Sequence, residues 1–172
     1  MYGNWKGKCQ FASFTGEYPS FSFLPFPIED IVISDCCRGI FLCWCIGLCF
    51  VVCNPMTRKS VVLPYSNLCY GSARLGFDPT ISSHFHVVEL WVRSLGVLVV
   101  SIYSSKTRAW MCKESKWGED ILICKFSGTV FLNGFMHMLE VSQIVAIDME
   151  GKTWMKILRP PAPSMSIHGD QG

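Results

Sequence analysis

One hairpin pattern occurs three times in this chain, and it restricts the fold more than any other feature of the sequence. Each copy is an apolar strand, a polar turn with a basic residue, and a second strand; the copies span residues 51–64, 100–111 and 146–157. Aligned on Ser60, Trp110 and Trp154, the copies lie 50 and 44 residues apart. A period of about 40–50 residues in an all-β chain is typical of β-propeller blades, each a four-stranded antiparallel sheet.

The rest of the chain also predicts strands. Short segments rich in Val, Ile, Phe, Tyr and Trp alternate with turn residues, and no window of 11 or more residues keeps helical periodicity between two caps. The predicted strands cover residues 30–34, 39–45, 48–53, 60–63, 73–77, 85–92, 97–103, 109–113, 121–126, 129–132, 135–139, 144–148 and 153–158. The predicted fold is all-β: a partial β-propeller of about three blades of antiparallel four-stranded sheets.

The residues within each copy fit this architecture. Asn54-Pro55, Ser104-Ser105 and Glu150-Gly151 occupy the point where the chain must reverse, and these residue types favour turns. Trp110 and Trp154 begin the returning strand. Since a single blade would leave both faces in water, we expect these indoles to cover a neighbouring blade.

The most apolar stretch of the chain, residues 39–53, has two interpretations. It is shorter than the ~20 residues that a membrane-spanning helix needs, and Gly47 lies at its centre. A hairpin of two buried strands is therefore favoured over a membrane segment.

Ten cysteines allow three interpretations. A secreted disulfide scaffold would begin with an apolar signal sequence, which residues 1–8 do not resemble. A zinc site needs closely spaced pairs of ligands, and the cysteines of residues 36–53 form no Cys-x-x-Cys pair and have no His nearby. Reduced cysteines that pack as small hydrophobic residues are favoured, which places the protein inside the cell, in the cytoplasm or the nucleus.

No motif indicates catalysis or a cofactor. The net charge of +2 is dispersed, so we expect no nucleic-acid partner. The four histidines are scattered, which predicts no metal site and favours structural roles. Ser104-Ser105 lacks the Gly-x-Ser-x-Gly context of a nucleophile, and Asp78-Pro79 indicates a turn rather than an acid or base. The sequence therefore predicts a binding module, not an enzyme.

A set of motifs in a fixed order carries a resemblance to a known family. They are FLP at residues 23–25, SDCCRGIFLC at 34–43, VCNPMTRK at 52–59, LGFDP at 75–79, IYSSKTRAW at 102–110, GTVFLNGFMHML at 128–139 and IDMEGKTW at 147–154. This order resembles that of the plant F-box-associated β-propeller domains, which are kelch-like substrate receptors. Arg38 stands where the family usually has Asn, and Met138 where it has Trp.

The resemblance implies a role and a division of the chain. It implies capture of a target protein for an SCF-type ubiquitin ligase, with the Skp adaptor and cullin as partners only if an F-box is present elsewhere. Residues 1–19 are expected to be poorly ordered and to lack an F-box, residues 20–160 to form the propeller, and residues 161–172 to begin a further blade. We therefore expect a fragment that is truncated at its C-terminus. We also expect no membrane partner.

Two long loops are the candidate binding sites. Residues 64–74 carry Tyr65, Asn67 and Tyr70, and residues 113–120 carry Lys116 and Trp117. Exposed aromatic and basic side chains on loops are plausible anchors for an unknown target protein, although ordinary packing of these loops on their own blades is the alternative. Lys106, Arg108, Lys113 and Lys116 form a further basic group, interpreted as a solvated face or as a contact with an acidic partner.

Two functional hypotheses from other classes stay open. A remnant without ligase function would self-associate through its open sheet edges, because unpaired strands invite pairing with another chain. A hydrolase would need a nucleophile beside a base, and the sequence offers no such cluster.

Overall fold

The structure is a computed structural model that describes residues 20–45, 47, 49–66, 72–94, 97–116, 128–139 and 143–158. One turn of 3₁₀ helix, Ile28–Asp30, is the only helix in these ranges, and within them no helix is long and apolar enough to cross a membrane. All other regular structure is β. The strands are β1 Ile31–Cys37, β2 Ile40–Cys45, β3 Cys49–Asn54, β4 Lys59–Val62, β5 Ser72–Gly76, β6 His86–Ser94, β7 Val97–Ser104, β8 Ala109–Lys116, β9 Thr129–Leu132, β10 Phe135–Leu139, β11 Gln143–Asp148 and β12 Trp154–Leu158.

The strands form three four-stranded antiparallel sheets. Blade 1 is β1–β4, blade 2 is β5–β8 and blade 3 is β9–β12, and each pairs its strands in chain order. The first strands lie side by side: β1 contacts β5, and β5 contacts β9. This radial order, with first strands innermost and fourth strands outermost, confirms the predicted all-β fold of three β-propeller blades.

The repeat that predicted the blades keeps its register in three dimensions. Ser60 pairs with Cys53, Trp110 with Tyr103 and Trp154 with Ile147, so the aligned residues occupy one position of the hairpin between the third and fourth strands. Gly47 lies between β2 and β3 with φ 72°, which confirms the predicted hairpin in the apolar stretch.

The two interfaces between blades are packed apolar cores. Leu42 and Val52 of blade 1 lie against Leu75 and Tyr103 of blade 2, and Trp110 packs on this cluster. A second cluster of buried residues joins the other face of blade 2 to blade 3, and Trp154 packs against it. Its members are Val88, Leu90, Val100, Ile102, Met136, Met138, Val145 and Ile147. Both predicted tryptophan positions are confirmed.

Blade 1 is covered on its other face as well. Leu24, from the segment that precedes β1, packs on Cys43, Cys45, Val51 and Cys53, and the phenylalanines of residues 21–26 surround them. The seven cysteines in the described residues are free thiols, and burial raises the pKa of Cys45 to about 12. The buried thiols of Cys43, Cys45 and Cys53 act as small hydrophobic residues, as expected.

Two strands continue three residues beyond their predicted ends. β1 continues past residue 34 to Cys37 through a bulge between Ile33 and Asp35, and β8 continues past residue 113 to Lys116 because Val97 at the start of β7 pairs with it. The loop predicted at residues 113–120 is thus wrong for 113–116. The predicted strand 121–126 and the predicted flanking segments, residues 1–19 and 161–172, lie outside the described residues.

Candidate interaction surfaces

Strand direction divides the turns between two ends of the blades. The turns that follow β1, β3, β5, β7, β9 and β11 lie at one end, because neighbouring strands are antiparallel. We call this end the turn face; its residues are 38–39, 55–58, 77–85, 105–108, 133–134 and 149–153. The connections between blades begin and end at the opposite end.

Hydrogen bonds join the turns of neighbouring blades into one surface. The Cys37 thiol, next to the first turn, donates to the carbonyl of Phe77 at 3.2 Å. The Phe85 amide donates to the Ser105 hydroxyl, and the Ser105 amide donates to the Phe85 carbonyl. Lys113 Nζ donates to the carbonyl oxygens of blade 3 in the turn at 149–153. The turn face is thus held by contacts that run from blade 1 to blade 3.

Carboxylate and amide side chains shape these turns. Asn54 Oδ1 accepts from the amides of Met56 and Thr57, and Asp148 closes the equivalent turn of blade 3 by accepting from three backbone amides. Asp78 accepts from the amide and the hydroxyl of Thr80, and these bonds lower its pKa. The predicted turn at Asp78 is confirmed.

The turn face is rich in exposed cations. Those in its turns are Arg38, Arg58, Lys106, Arg108 and Lys152. The exposed carboxylate of this face, Glu150, forms an ion pair with Lys152. The sequence contained the signal for this surface, since Arg58, Arg108 and Lys152 occupy one position of the repeat, two residues before the aligned Ser or Trp.

Three arginines of this face have left-handed backbones. Arg38, Arg58 and Arg108 have φ of 49°, 53° and 56°. Residues other than Gly, Asn and Asp seldom adopt this backbone conformation, and it costs them about 1 kcal/mol or more. Arginine is therefore present at these turns for a reason other than backbone preference.

A cleft of about 380 Å³ lies at this face, between blades 2 and 3. The β7–β8 hairpin forms one side of it, and the turn from Met149 to Lys152 forms the other. Gly151 fits here because its φ is 60° and a Cβ would lie 3.3 Å from Ile102 Cδ1 and from Lys113 Cδ. The absence of a side chain lets this turn approach the hairpin closely.

The residues predicted as anchors lie away from this cleft or outside the described residues. Tyr65 follows β4 at the opposite end, with 68% of its surface exposed. Lys116 is the last residue of β8. Asn67, Tyr70 and Trp117 lie outside the described residues. That these five residues bind a partner therefore stays a prediction.

The predicted basic group is divided by the fold. Lys106 and Arg108 are exposed in the turn between β7 and β8, whereas Lys116 ends β8 seven residues beyond Ala109. At about 3.3 Å per strand residue, that distance is roughly 20 Å. Lys113 lies between them and is bound to blade 3.

Two buried carboxyl groups belong to the interface of blades 1 and 2. Asp35 Oδ2 accepts from the Leu75 amide at 2.8 Å, which joins β1 to β5; burial raises its pKa, and the bonds from the Leu75 and Cys36 amides oppose the rise. Glu89 is wholly buried, and burial raises its pKa to about 7 against the effect of the Ser66 hydroxyl.

Within the described residues, no three His, Cys, Asp or Glu side chains are grouped so that they could hold a metal ion. Asp35 and Glu89 lie at the interface of blades 1 and 2 and do not line the cleft, which fits structural roles better than acid–base chemistry.

Comparison with known proteins supports the motif analysis. The model of a family described as F-box associated beta propeller domain matches residues 13–168. This match includes all three blades. No curated protein matches the chain.

Proposed function

Because the chain belongs to the F-box-associated β-propeller domain family, we propose that it captures a target protein for an SCF-type ubiquitin ligase. The family is one of protein-interaction domains. The Skp adaptor and the cullin would join through an F-box, and the blades would hold the target. The free thiols fit a location in the cytoplasm or nucleus, where thiols stay reduced.

The observation that carries this proposal is the turn face. Packed blades hold its turns in place, so a partner would meet a surface that needs little ordering on binding. The exposed cations supply charge for recognition, and the cleft supplies an apolar recess beside them. Tyr65 and Lys116, which lie at the opposite end, remain a second candidate surface together with the other predicted anchors.

Affinity capture from cell extract tests the proposal. The tagged chain is expected to retain a protein, and an F-box fused to the chain is expected to bring the Skp adaptor and cullin and to cause ubiquitination of the retained protein. The control is the same F-box fused to an unrelated propeller. Retention of a protein that the assembled ligase leaves unmodified would contradict the ligase role.

The self-association hypothesis is a second candidate, favoured by one face of blade 3. The large apolar residues exposed on this face are Val130, Leu132, Leu139, Met155 and Ile157. In the described part of the chain β12 pairs with β11 alone, so its other edge is open. Light scattering across protein concentrations tests this candidate: growth in particle mass supports it, and a constant monomer mass contradicts it.

A further inference from the structure

The cleft between blades 2 and 3 combines an apolar recess with fixed positive charge. Ile102, Met111 and Met149 contribute apolar walls. Methionine side chains adapt to the shape of a bound group at small cost. A recess of about 380 Å³ lies within the usual range for binding sites and suits one large side chain.

Lys113 provides charge inside this recess. Its ammonium donates to the carbonyl oxygens of Glu150 at 2.9 Å and of Gly151 at 3.1 Å. Two of its three N–H groups are thus used, and their partners are neutral carbonyls. One donor and the full positive charge remain for a ligand.

The other charges around the cleft are mostly positive. Lys152 lines it, and Lys106 and Arg108 are exposed in the adjoining turn. Asp148 already accepts from three backbone amides of its own turn, and Glu150 forms an ion pair with Lys152. His86 contributes little charge near neutral pH, because burial and the neighbouring His84 lower its pKa.

We propose that this cleft binds a short acidic peptide segment of a partner protein, with one apolar side chain inserted between Met111 and Met149 and carboxylates on Lys113 and Arg108. A protein partner fits better than a nucleic acid, since the recess is apolar and the charge is local, not extended as a stripe along a phosphate backbone. The inference rests on the proposed recognition function and names the chemistry that the target would present.

Fluorescence anisotropy with the purified chain tests the site. The probe is a labelled heptapeptide with a central Phe flanked on each side by three Asp or Glu residues. Replacing the Phe by Gly, or the acidic residues by Lys, is expected to weaken binding about tenfold or more, since the first change removes the apolar group and the second reverses the charge. A single-stranded oligothymidylate is the third comparison probe; equal or tighter binding of that probe would overturn the peptide proposal.

Matched charge variants locate the site. Lys113→Gln and Arg108→Gln are each expected to weaken binding of the acidic peptide about tenfold, because each removes a charge-assisted hydrogen bond. Lys59→Gln removes the same charge on blade 1, away from the cleft, and is expected to change binding by less than about twofold. Arg108→Gln alters an exposed turn residue and decides the question if Lys113→Gln fails to fold. Equal losses in the Lys59 and cleft variants would overturn the proposal.

Target capture separates this inference from the proposed function. Loss of the captured protein with Lys113→Gln, and its retention with Lys59→Gln, support both. Retention with both variants contradicts the cleft as the site and leaves the recognition function standing. Failure of the unaltered chain to capture any protein contradicts the recognition function, while the anisotropy experiment still decides whether acidic peptides bind the cleft.

Discussion

Blades 1 and 3 share one strand order, yet they differ in what covers them. Aligned on the turns Arg38-Gly39 and Asn133-Gly134, Leu42 of blade 1 corresponds to His137 of blade 3. Leu42 is wholly buried against blade 2, whereas the face that carries His137 has Val130 at 62% exposed. The same sheet position is thus core in one blade and half-buried, on a face that the described residues leave uncovered, in the other. The blade that covers a strand, more than the strand's own sequence pattern, therefore decides how much each residue contributes to stability.

The largest expected effect tests this difference directly. Leu42→Ala is expected to lower the free energy of unfolding by about 4 kcal/mol, because it leaves a cavity between packed blades. His137→Ala, at the corresponding position, is expected to cost less than about 1 kcal/mol. Urea unfolding followed by tryptophan fluorescence measures both values. A similar loss for the two variants would indicate that the face of blade 3 is covered in solution.

Glu89 tests whether the interface between blades 1 and 2 excludes water. Its pKa of about 7 in the fold exceeds the ordinary 4.5, so the folded state holds the proton more tightly than the unfolded state does. The resulting stabilisation is complete below about pH 4.5 and is lost as the pH rises through about 7. Between about pH 5 and pH 8, ionisation of Glu89 should lower the free energy of unfolding by on the order of 3 kcal/mol, at about 1.4 kcal/mol per pKa unit.

Glu89→Gln is the variant that isolates this effect. It keeps the size of the side chain, removes the titration, and should flatten the dependence of the unfolding free energy on pH, with the greatest gain in stability above pH 7. Asp35 is unchanged in both proteins, so subtracting the two pH profiles removes its contribution. Parallel profiles would mean that water reaches the Glu89 carboxyl group and that the interface is not sealed.

The sequence predicted the local structure well because turns and alternation are encoded nearby. Gly47 identified a hairpin, and the motif around Asn54 identified a turn that the Asn54 side chain closes. The repeat placed Trp110 and Trp154 in register, since both pair within their own blade.

The contacts between blades could not be predicted in the same way. Asp35 lies beyond the predicted strand at residues 30–34, but it belongs to β1 and accepts from the Leu75 amide, 40 residues away. Residues 113–116 suggest a loop because all four are polar, yet β7 pairs with them. The cleft depends on Lys113, which contacts Glu150 and Gly151 in the turn of blade 3, 37 and 38 residues further along the chain. The repeat placed a cation in every blade without indicating which turns meet.

The smallest expected effect concerns the two-residue turns that aligned these blades. Arg38-Gly39 and Asn133-Gly134 have nearly equal φ values, 49° and 82° against 52° and 80°, which fit a type I′ turn. Asn adopts this conformation more readily than Arg, so Arg38→Asn should raise the free energy of unfolding by up to about 1 kcal/mol and Asn133→Arg should lower it similarly. Thermal unfolding of both variants measures this exchange. Because Arg38 contributes charge to the turn face, Arg38→Asn should be more stable without binding acidic peptides more tightly; a loss of stability would mean that the Arg38 side chain makes contacts that outweigh its backbone strain.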